Sequence, residues 1–167
     1  MKGPVLLFIL GFTLMSGKSG VLKVGDAAPD FTLPDENESL HTLSEYRGQR
    51  VVVYFYPKDD TPGCIKEACG IRDIYSEFEE SNIKVFGISY DSPRSHKKFK
   101  EKYQLPFTLL SDTNKEVSKV YGAKGLFFPN RITFLIDEQG TILKVYEKVS
   151  VTKHGEDVLQ YFSSSQP

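Results

Sequence analysis

The stretch VVVYFYPKDDTPGC, residues 51–64, carries the local signals that decide how this chain folds. Its first six residues are β-branched or aromatic, a composition typical of a buried strand. Thr61 is a favoured N-cap residue, and Pro62 then falls at the first helical position, where a missing N–H costs nothing. The segment therefore predicts a strand that passes through a short loop into a helix, with Cys64 in the first helical turn.

Similar apolar runs recur along the chain and predict the other strands of a sheet. They are IKVFGIS (83–89), RITFLID (131–137) and TILKVYEK (141–148). The last two runs flank EQG, a short loop containing glycine, which suggests a β-hairpin. The earlier segment 31–48 indicates a separate small hairpin followed by a turn.

Helical patterns lie between these strands. An apolar stripe, spaced three or four residues apart, predicts a helix that contains Cys64, Ala68, Ile71, Tyr75 and Phe78. Further helices are expected from Ser92-Pro93 to Tyr103, from Asn114 to Tyr121, and at 153–162. Strands that alternate with helices and end in a hairpin indicate an α/β fold, with a central mixed sheet flanked by helices.

Length and composition fit one globular domain. The chain has 167 residues, of which 40% are hydrophobic and 26% charged, enough to bury a core without crosslinks. The two cysteines are too few for a disulfide-rich scaffold. A formal net charge of −1 argues against nucleic acid or an anionic membrane as the main partner of the domain.

Residues 1–20 differ from the rest of the chain. Lys2 precedes VLLFILGFTLM (5–15), and small residues follow. This order is typical of a secretory signal, because the apolar stretch is shorter than the ~20 residues that a bilayer span needs. We therefore expect a leader at 1–20, an exported protein and one domain at 21–167. The alternatives are an uncleaved anchor, or a misassigned start codon and a cytoplasmic protein.

Cys64 occupies a helical position that favours negative charge. At the third residue of a helix, free backbone N–H groups and the helix dipole stabilise an anion, and the thiolate is the reactive form of cysteine. Asp59, Asp60 and Glu67 oppose this effect, so a reactive Cys64 requires a cation from elsewhere in the chain. The alternative interpretation is that Cys64 is a small buried hydrophobe on the apolar stripe.

Cys69 is the only other cysteine and lies five residues after Cys64. In an intact helix this spacing separates the Cα atoms by ~8–9 Å, whereas a disulfide generally needs less than ~7 Å. A static disulfide is therefore awkward. The functional interpretation is a disulfide that forms when the first helical turns unwind, and Gly63 and Gly70 flank the segment that would have to unwind.

The segment YFYPKDDTPGCIKEACGIRD (54–73) resembles the active-site segment of the peroxiredoxins. The second cysteine, five residues on, is similar to that of the peroxiredoxin Q branch, also called bacterioferritin comigratory protein. The likeness covers nearly all of 21–162 and includes VGDAAPDFTLPDE, FGISYDSPRSHKKFKEKY, LPFTLLSD and NRITFLIDEQGTI. The family pattern of a proline, a threonine, a cysteine and a late arginine matches Pro57, Thr61, Cys64 and Arg131.

The resemblance implies a thioredoxin-like fold and a thiol-dependent peroxidase. Cys64 would be the peroxidatic nucleophile that reduces hydrogen peroxide or organic hydroperoxides and becomes a sulfenic acid. Cys69 would be the resolving thiol that forms a transient Cys64–Cys69 disulfide. Thioredoxin or a similar dithiol would reduce this disulfide. The resemblance further implies a monomer that needs no metal, flavin or haem.

The other residues of the family pattern have implied roles in the same reaction. Arg131 would supply the missing cation, and Thr61 would turn its hydroxyl toward the sulfur and the peroxide. Pro57 would shape the pocket and shield the sulfur. Their structural alternatives are a strand-end arginine, a helix cap and a turn proline. The pair FF at 127–128 suggests an apolar rim around the pocket.

Two other functions are compatible with this fold: a thioredoxin-like binding or holdase module, and a general disulfide exchanger. The joint presence of the four family residues favours the peroxidase over both. A Cys/His hydrolase would need a histidine beside the nucleophile. His41, His96 and His154 all lie among polar residues, so we expect them to be exposed to solvent.

Overall fold

A five-stranded mixed sheet forms the centre of the computed structural model, which describes residues 21–164. Its strands are β3 (Arg50–Phe55), β4 (Ile83–Ser89), β5 (Thr108–Ser111), β6 (Ile132–Ile136) and β7 (Ile142–Tyr146). They lie in the order β5-β4-β3-β6-β7. β3 and β5 pair parallel with β4, whereas β6 pairs antiparallel with both β3 and β7. The strand predicted from VVVYFY is thus the central strand of the sheet.

The helices pack around this sheet. They are α1 (Pro62–Asp73), α2 (Tyr75–Glu80), α3 (Pro93–Tyr103), α4 (Glu116–Val120) and α5 (His154–Ser164). Side chains of β3 alternate between two buried cores, as the period of a strand requires. Val52 and Tyr54 belong to the core that contains the α1 side chains, and Val53 and Phe55 belong to the core on the other face. The predicted α/β fold is therefore confirmed.

A small hairpin precedes the central sheet, as predicted for 31–48. β1 (Thr32–Pro34) pairs antiparallel with β2 (Leu40–Thr42). A short 3₁₀ helix follows at Leu43–Tyr46. Leu33 of β1 and Leu43 of the 3₁₀ helix are both buried in the second core, so this segment covers the sheet face opposite α1.

The apolar stripe predicted for one helix spans two. α1 ends at Asp73, and Ile74 leaves the helical conformation with φ −121° before α2 begins. The stripe residues are nevertheless all buried. The periodicity therefore identified the buried face correctly and missed the break, because the stripe continues through it.

One strand was not predicted, and one helix begins later than predicted. β5 has four residues and lies at the edge of the sheet, and its TLLS run is too short to stand out in the sequence. α4 begins at Glu116, after Lys115 in the left-handed conformation at φ 64°. The Asn114 side chain accepts a hydrogen bond from the Glu116 N–H (3.3 Å), so Asn114 lies two residues before α4 rather than at its N-cap.

The prediction of exposed histidines was wrong. His96 is fully buried and His154 is 2% exposed, while His41 is partly buried. The ring of His96 bonds the buried Asp59 carboxylate, and that of His154 bonds the Thr133 hydroxyl. Polar groups that are satisfied inside the fold can be buried at little cost, which the polar neighbours in the sequence concealed.

The predicted leader at 1–20 lies outside the described residues. Across residues 21–164, no helix has the length and apolar character that a membrane crossing requires.

Candidate active site

Cys64 lies in the first turn of α1, as the sequence predicts. Thr61 is the N-cap residue in extended conformation, and Pro62 occupies the first helical position. The Thr61 side chain makes no capping hydrogen bond. Its hydroxyl donates instead to the Lys58 carbonyl oxygen at 2.8 Å, which tightens the loop before α1. Backbone conformation and Pro62 therefore begin the helix here, without a side-chain cap.

Arg131 brings a cation to the sulfur of Cys64. Its Nη2 donates to the Cys64 sulfur at 3.3 Å, and the sulfur belongs to a side chain that is 2% exposed. The register of the sheet explains this proximity, because β3 and β6 pair Phe55 with Ile132. Arg131 thus precedes β6 at the point where β3 continues into the active-site loop.

Gly63 leaves room for the arginine. A Cβ at this position would lie 3.3 Å from Arg131 Nη2, closer than most Cβ contacts. Any larger residue would therefore press on the guanidinium that faces Cys64.

Glu67 shares Arg131 with Cys64. Arg131 Nη1 donates to Glu67 Oε2 in a short contact, and the Glu67 side chain is fully buried. Burial opposes charge on Arg131, but the Glu67 carboxylate and the Cys64 sulfur raise the pKa of the guanidinium above its ordinary value. Burial also raises the pKa of Glu67 to about 7, although Arg131 acts in the opposite direction.

The side chains of His154, Thr133 and Tyr54 lie near the ion pair of Glu67 and Arg131. His154 Nε2 is 2.8 Å from Thr133 Oγ1 and 3.9 Å from Glu67 Oε1. Burial and the nearby charge of Arg131 lower the pKa of His154 to about 4, so the ring is neutral near pH 7. Within residues 21–164, the buried Tyr54 hydroxyl and Glu67 Oε1 have no hydrogen-bond partner.

The two aspartates of the active-site loop are held by α3. Asp59 is buried and accepts a hydrogen bond from His96 Nδ1 at 2.9 Å. Asp60 has a left-handed backbone at φ 55° and accepts from Lys102 Nζ at 2.7 Å. Of the three acids that the sequence sets against a thiolate, Glu67 is therefore the one that contacts Arg131.

Cys69 lies on α1 with Cys64, and Pro57 lies in the loop that enters this helix. Both cysteines are free thiols, Cys64 buried and Cys69 partly exposed. They lie on the same unbroken helix, where residues five apart are too distant to bond. Pro57 is partly buried in the loop that follows β3. Its shielding of the sulfur and the resolving role of Cys69 stay predictions.

The sequence contained a signal for His154 that polar neighbours outweighed. His154, Val158 and Phe162 are spaced four residues apart and form the buried face of α5. Extending the apolar periodicity of this helix back to its first residue would have placed His154 inside the protein. Its position beside Glu67 depends on the packing of α5 against α1, which no local pattern reveals.

Comparison with known proteins gives consistent matches. The AhpC/TSA family model matches residues 24–145. A peroxiredoxin bcp of Coxiella burnetii is 46% identical over 149 residues, which cover 83% of this chain and 97% of that protein. A chloroplastic peroxiredoxin Q of Oryza sativa subsp. japonica is 44% identical, with coverage of 87% and 69%.

Solved structures show the same likeness. Peroxidoxin BcpB from Mycobacterium tuberculosis superposes with a TM-score of 0.82 at 36% identity, covering 87% of this chain and 99% of that one. The bacterioferritin comigratory protein of Xanthomonas campestris, described for its alkyl peroxide reduction activity, gives a TM-score of 0.79 at 30% identity. It covers 87% of this chain and 98% of its own.

Proposed function

We propose that this chain, which belongs to the AhpC/TSA family and is a thiol-dependent peroxidase, uses Cys64 as its nucleophile and Cys69 as its resolving thiol. The observation that carries this assignment is the 3.3 Å contact between Arg131 Nη2 and the Cys64 sulfur at the start of α1. A guanidinium and a helix N-terminus both stabilise an anionic sulfur.

The first step oxidises Cys64. Its thiolate attacks the terminal oxygen of a hydroperoxide, so that an S–O bond forms as the O–O bond breaks. The departing oxygen takes a proton and leaves as water or an alcohol, and Cys64 becomes a sulfenic acid. Arg131 stabilises both the attacking sulfur and the negative charge that develops on the departing oxygen.

The second step forms the disulfide. The Cys69 thiol attacks the sulfur of the sulfenic acid, water leaves, and a Cys64–Cys69 bond results. Because the two residues lie ~8–9 Å apart on an intact helix, α1 must unwind locally before this step. Thioredoxin or a similar dithiol then reduces the disulfide by exchange and restores both thiols.

Thr61 and Pro57 assist from the loop that enters α1. Thr61 is the N-cap residue, three positions before the nucleophile, and its hydroxyl orients the peroxide. Pro57 is partly buried and shields the sulfur from water. Both assignments rest on the position of these residues in the loop and on the family pattern.

The exposed loop beside the site favours organic hydroperoxides. Leu126, Phe127 and Phe128 are 82%, 73% and 48% exposed. Lys58 Nζ lies 5.9 Å from the centre of the Phe128 ring, which brings this apolar loop next to the active-site loop. An alkyl group on the substrate can bury surface there, whereas hydrogen peroxide cannot.

We infer the compartment of the protein from residues 1–20 and its assembly from the family resemblance. Residues 1–20 act as a cleaved export signal, and the domain at 21–167 acts as a monomer without a membrane or nucleic-acid partner. Mass spectrometry of the protein recovered from its native cell tests the cleavage, and sedimentation tests the monomer. Recovery of an uncut chain from the cytoplasm would contradict the export assignment.

The deciding experiment follows the reduced protein after one equivalent of hydrogen peroxide. Both thiols should disappear with a mass loss of two hydrogens, while Cys64→Ser should not react. Cys69→Ser should gain one oxygen and stop at the sulfenic acid. An unreactive Cys64 would contradict the assignment, and rapid reduction of insulin disulfides would favour a general disulfide exchanger.

A further inference from the structure

Glu67 has two carboxylate oxygens in unequal surroundings. Oε2 accepts a hydrogen bond from Arg131 Nη1. Oε1 is buried without a hydrogen-bond partner among the described residues, and the nearest charged or titratable atom on α5, His154 Nε2, is 3.9 Å away. An ionised carboxylate needs donors on both oxygens when it is removed from water. The surroundings of Oε1 therefore disfavour the negatively charged form of Glu67.

The guanidinium of Arg131 serves two partners at once. Nη1 faces Glu67, and Nη2 faces the Cys64 sulfur at 3.3 Å. Any negative charge on Glu67 attracts the same cation that stabilises the sulfur. The charge of Glu67 must therefore influence how strongly Arg131 acts on Cys64.

The elements packed against Glu67 bring four titratable or charged groups to it. These are Cys64 on α1, Tyr54 on β3, Arg131 before β6 and His154 on α5. His154 is neutral near pH 7, since its pKa is lowered to about 4. Within the described part of the chain, Arg131 is then the one cation facing Glu67, and burial still raises the pKa of Glu67 to about 7.

We propose that Glu67 is a positioning residue whose charge sets how far the shared guanidinium of Arg131 is available to Cys64. In its neutral form, Glu67 carries the proton on Oε1 and holds Arg131 in place through Oε2. In its ionised form, it neutralises the guanidinium and weakens the stabilisation of the sulfur and the departing oxygen. This inference rests on the proposed role of Cys64 as the nucleophile.

The test compares the full-length protein with Glu67→Gln across pH 5.5–9. Glutamine keeps an oxygen for Arg131 Nη1 and never ionises. The second-order rate constant for oxidation of Cys64 by hydrogen peroxide is measured by stopped flow. The ratio of variant to wild type is taken at each pH, because both proteins carry the same thiol on the same helix and differ only at residue 67.

The expected ratio is close to one at low pH and rises roughly 3- to 10-fold above about pH 7, where the wild-type carboxylate ionises. A ratio that stays constant with pH would overturn the inference, whether the variant is faster or slower, because a purely structural role predicts a constant factor. Tyr54→Phe is the matched control. It removes another buried, unpartnered oxygen without removing a charge, and its ratio should not vary with pH.

A second measurement does not depend on activity. Infrared difference spectra of the reduced protein should show the C=O band of a protonated carboxyl disappearing near pH 7, and the band should be absent from Glu67→Gln. Its absence from the wild type would overturn the inference. If the wild type does not react with peroxide, the proposed function fails. If it reacts with a constant ratio, the role of Glu67 alone fails.

Discussion

The two buried histidines, His96 on α3 and His154 on α5, differ in how far the protein satisfies their rings. Both ring nitrogens of His96 face acceptors, Nδ1 the Asp59 carboxylate at 2.9 Å and Nε2 the Leu110 carbonyl at 3.1 Å. His154 has one described hydrogen bond, to Thr133, and lies near the charge of Arg131.

This difference distinguishes a region that holds the active-site loop in place from a region that lies next to the reactive sulfur. On the His96 side, the loop that leads to Cys64 is fixed by a buried set of satisfied hydrogen bonds, which Tyr56 and Ser95 complete around the same carboxylate. On the His154 side, buried groups are left short of partners next to the nucleophile. Satisfied networks give rigidity, whereas unsatisfied buried groups are typical of functional sites.

Removal of Arg131 should give the largest effect and tests the functional side. Arg131→Met should lower the rate of Cys64 oxidation roughly 100- to 1,000-fold, because the developing negative charge loses its donor. Stopped-flow kinetics with hydrogen peroxide measure this rate. Arg131→Lys should recover part of the loss, since it keeps the charge. If Arg131→Met oxidises within a few-fold of the wild-type rate, a cation other than Arg131 stabilises the reacting sulfur.

Removal of Asp59 tests the supporting side. Asp59→Ala leaves His96 and Ser95 without their buried acceptor, and should lower the free energy of unfolding by about 3 kcal/mol. Urea denaturation measures this change. The matched control is Asp60→Asn, whose exposed contacts should contribute little. Equal losses in the two variants would contradict the division into a buried support and a solvated contact.

The pH dependence of stability should separate Glu67 from His154. The pKa of Glu67 is raised from 4.5 to about 7, so the folded protein keeps a proton that the unfolded chain releases, and this contribution is lost as pH rises from 4.5 to 7. The pKa of His154 is lowered from 6.5 to about 4. Its contribution is therefore present above pH 6.5 and lost as pH falls toward 4.

Single variants should show that Glu67 and His154 change the free energy of unfolding in opposite directions as pH rises. Relative to wild type, Glu67→Gln should gain stability and His154→Gln should lose it as pH rises between 4.5 and 6.5, each by roughly 1–3 kcal/mol. Urea denaturation at several pH values measures both. Parallel curves for the two variants would show that these groups do not titrate as a pair of opposite sign.

The smallest expected effect lies outside both regions, on the exposed loop. Phe127→Ser should lower kcat/KM for an alkyl hydroperoxide by about 2- to 5-fold through lost apolar contact, and leave the value for hydrogen peroxide nearly unchanged. The comparison of the two substrates checks the apolar rim without relying on stability. Equal losses for both substrates would mean that the loop acts on the site rather than on the substrate.

Much of the fold and half of the site could be predicted from local sequence. The apolar runs marked the strands, and Thr61, Pro62 and Cys64 marked the helix entry, because both signals depend on neighbouring residues. The position of Arg131 depends on the pairing of Phe55 with Ile132 across the sheet. Only the family resemblance named Arg131, since no local pattern encodes that register.

The residues that sequence reasoning misplaced are polar groups with partners distant in the chain. His96 meets Asp59 across 37 positions, and His154 meets Thr133 across 21. Each lies in a polar segment, so local composition predicts exposure. The buried faces of α3 and α5 include both rings, and the periodicity of the apolar residues was the signal that could have outweighed composition.

The unbroken course of α1 through both cysteines has a thermodynamic consequence. In the proposed cycle, α1 cannot be fully helical and hold a Cys64–Cys69 disulfide at once, so the stability of α1 would form part of the reduction potential of that disulfide. Gly70 lies inside α1, where an added Cβ would make only an ordinary contact, 3.9 Å from the Val151 carbonyl oxygen. Gly70→Ala should therefore favour the helix by about 0.5–1 kcal/mol.

That preference stabilises the reduced protein alone. It should make the reduction potential more positive by about 10–20 mV, because 1.4 kcal/mol corresponds to about 30 mV for two electrons. Equilibration with a glutathione or thioredoxin redox buffer measures the shift, and an unchanged potential would mean that α1 stays helical in the oxidised form. In the proposed cycle, the free energy that favours a helical α1 would also set how strongly the disulfide acts as an oxidant.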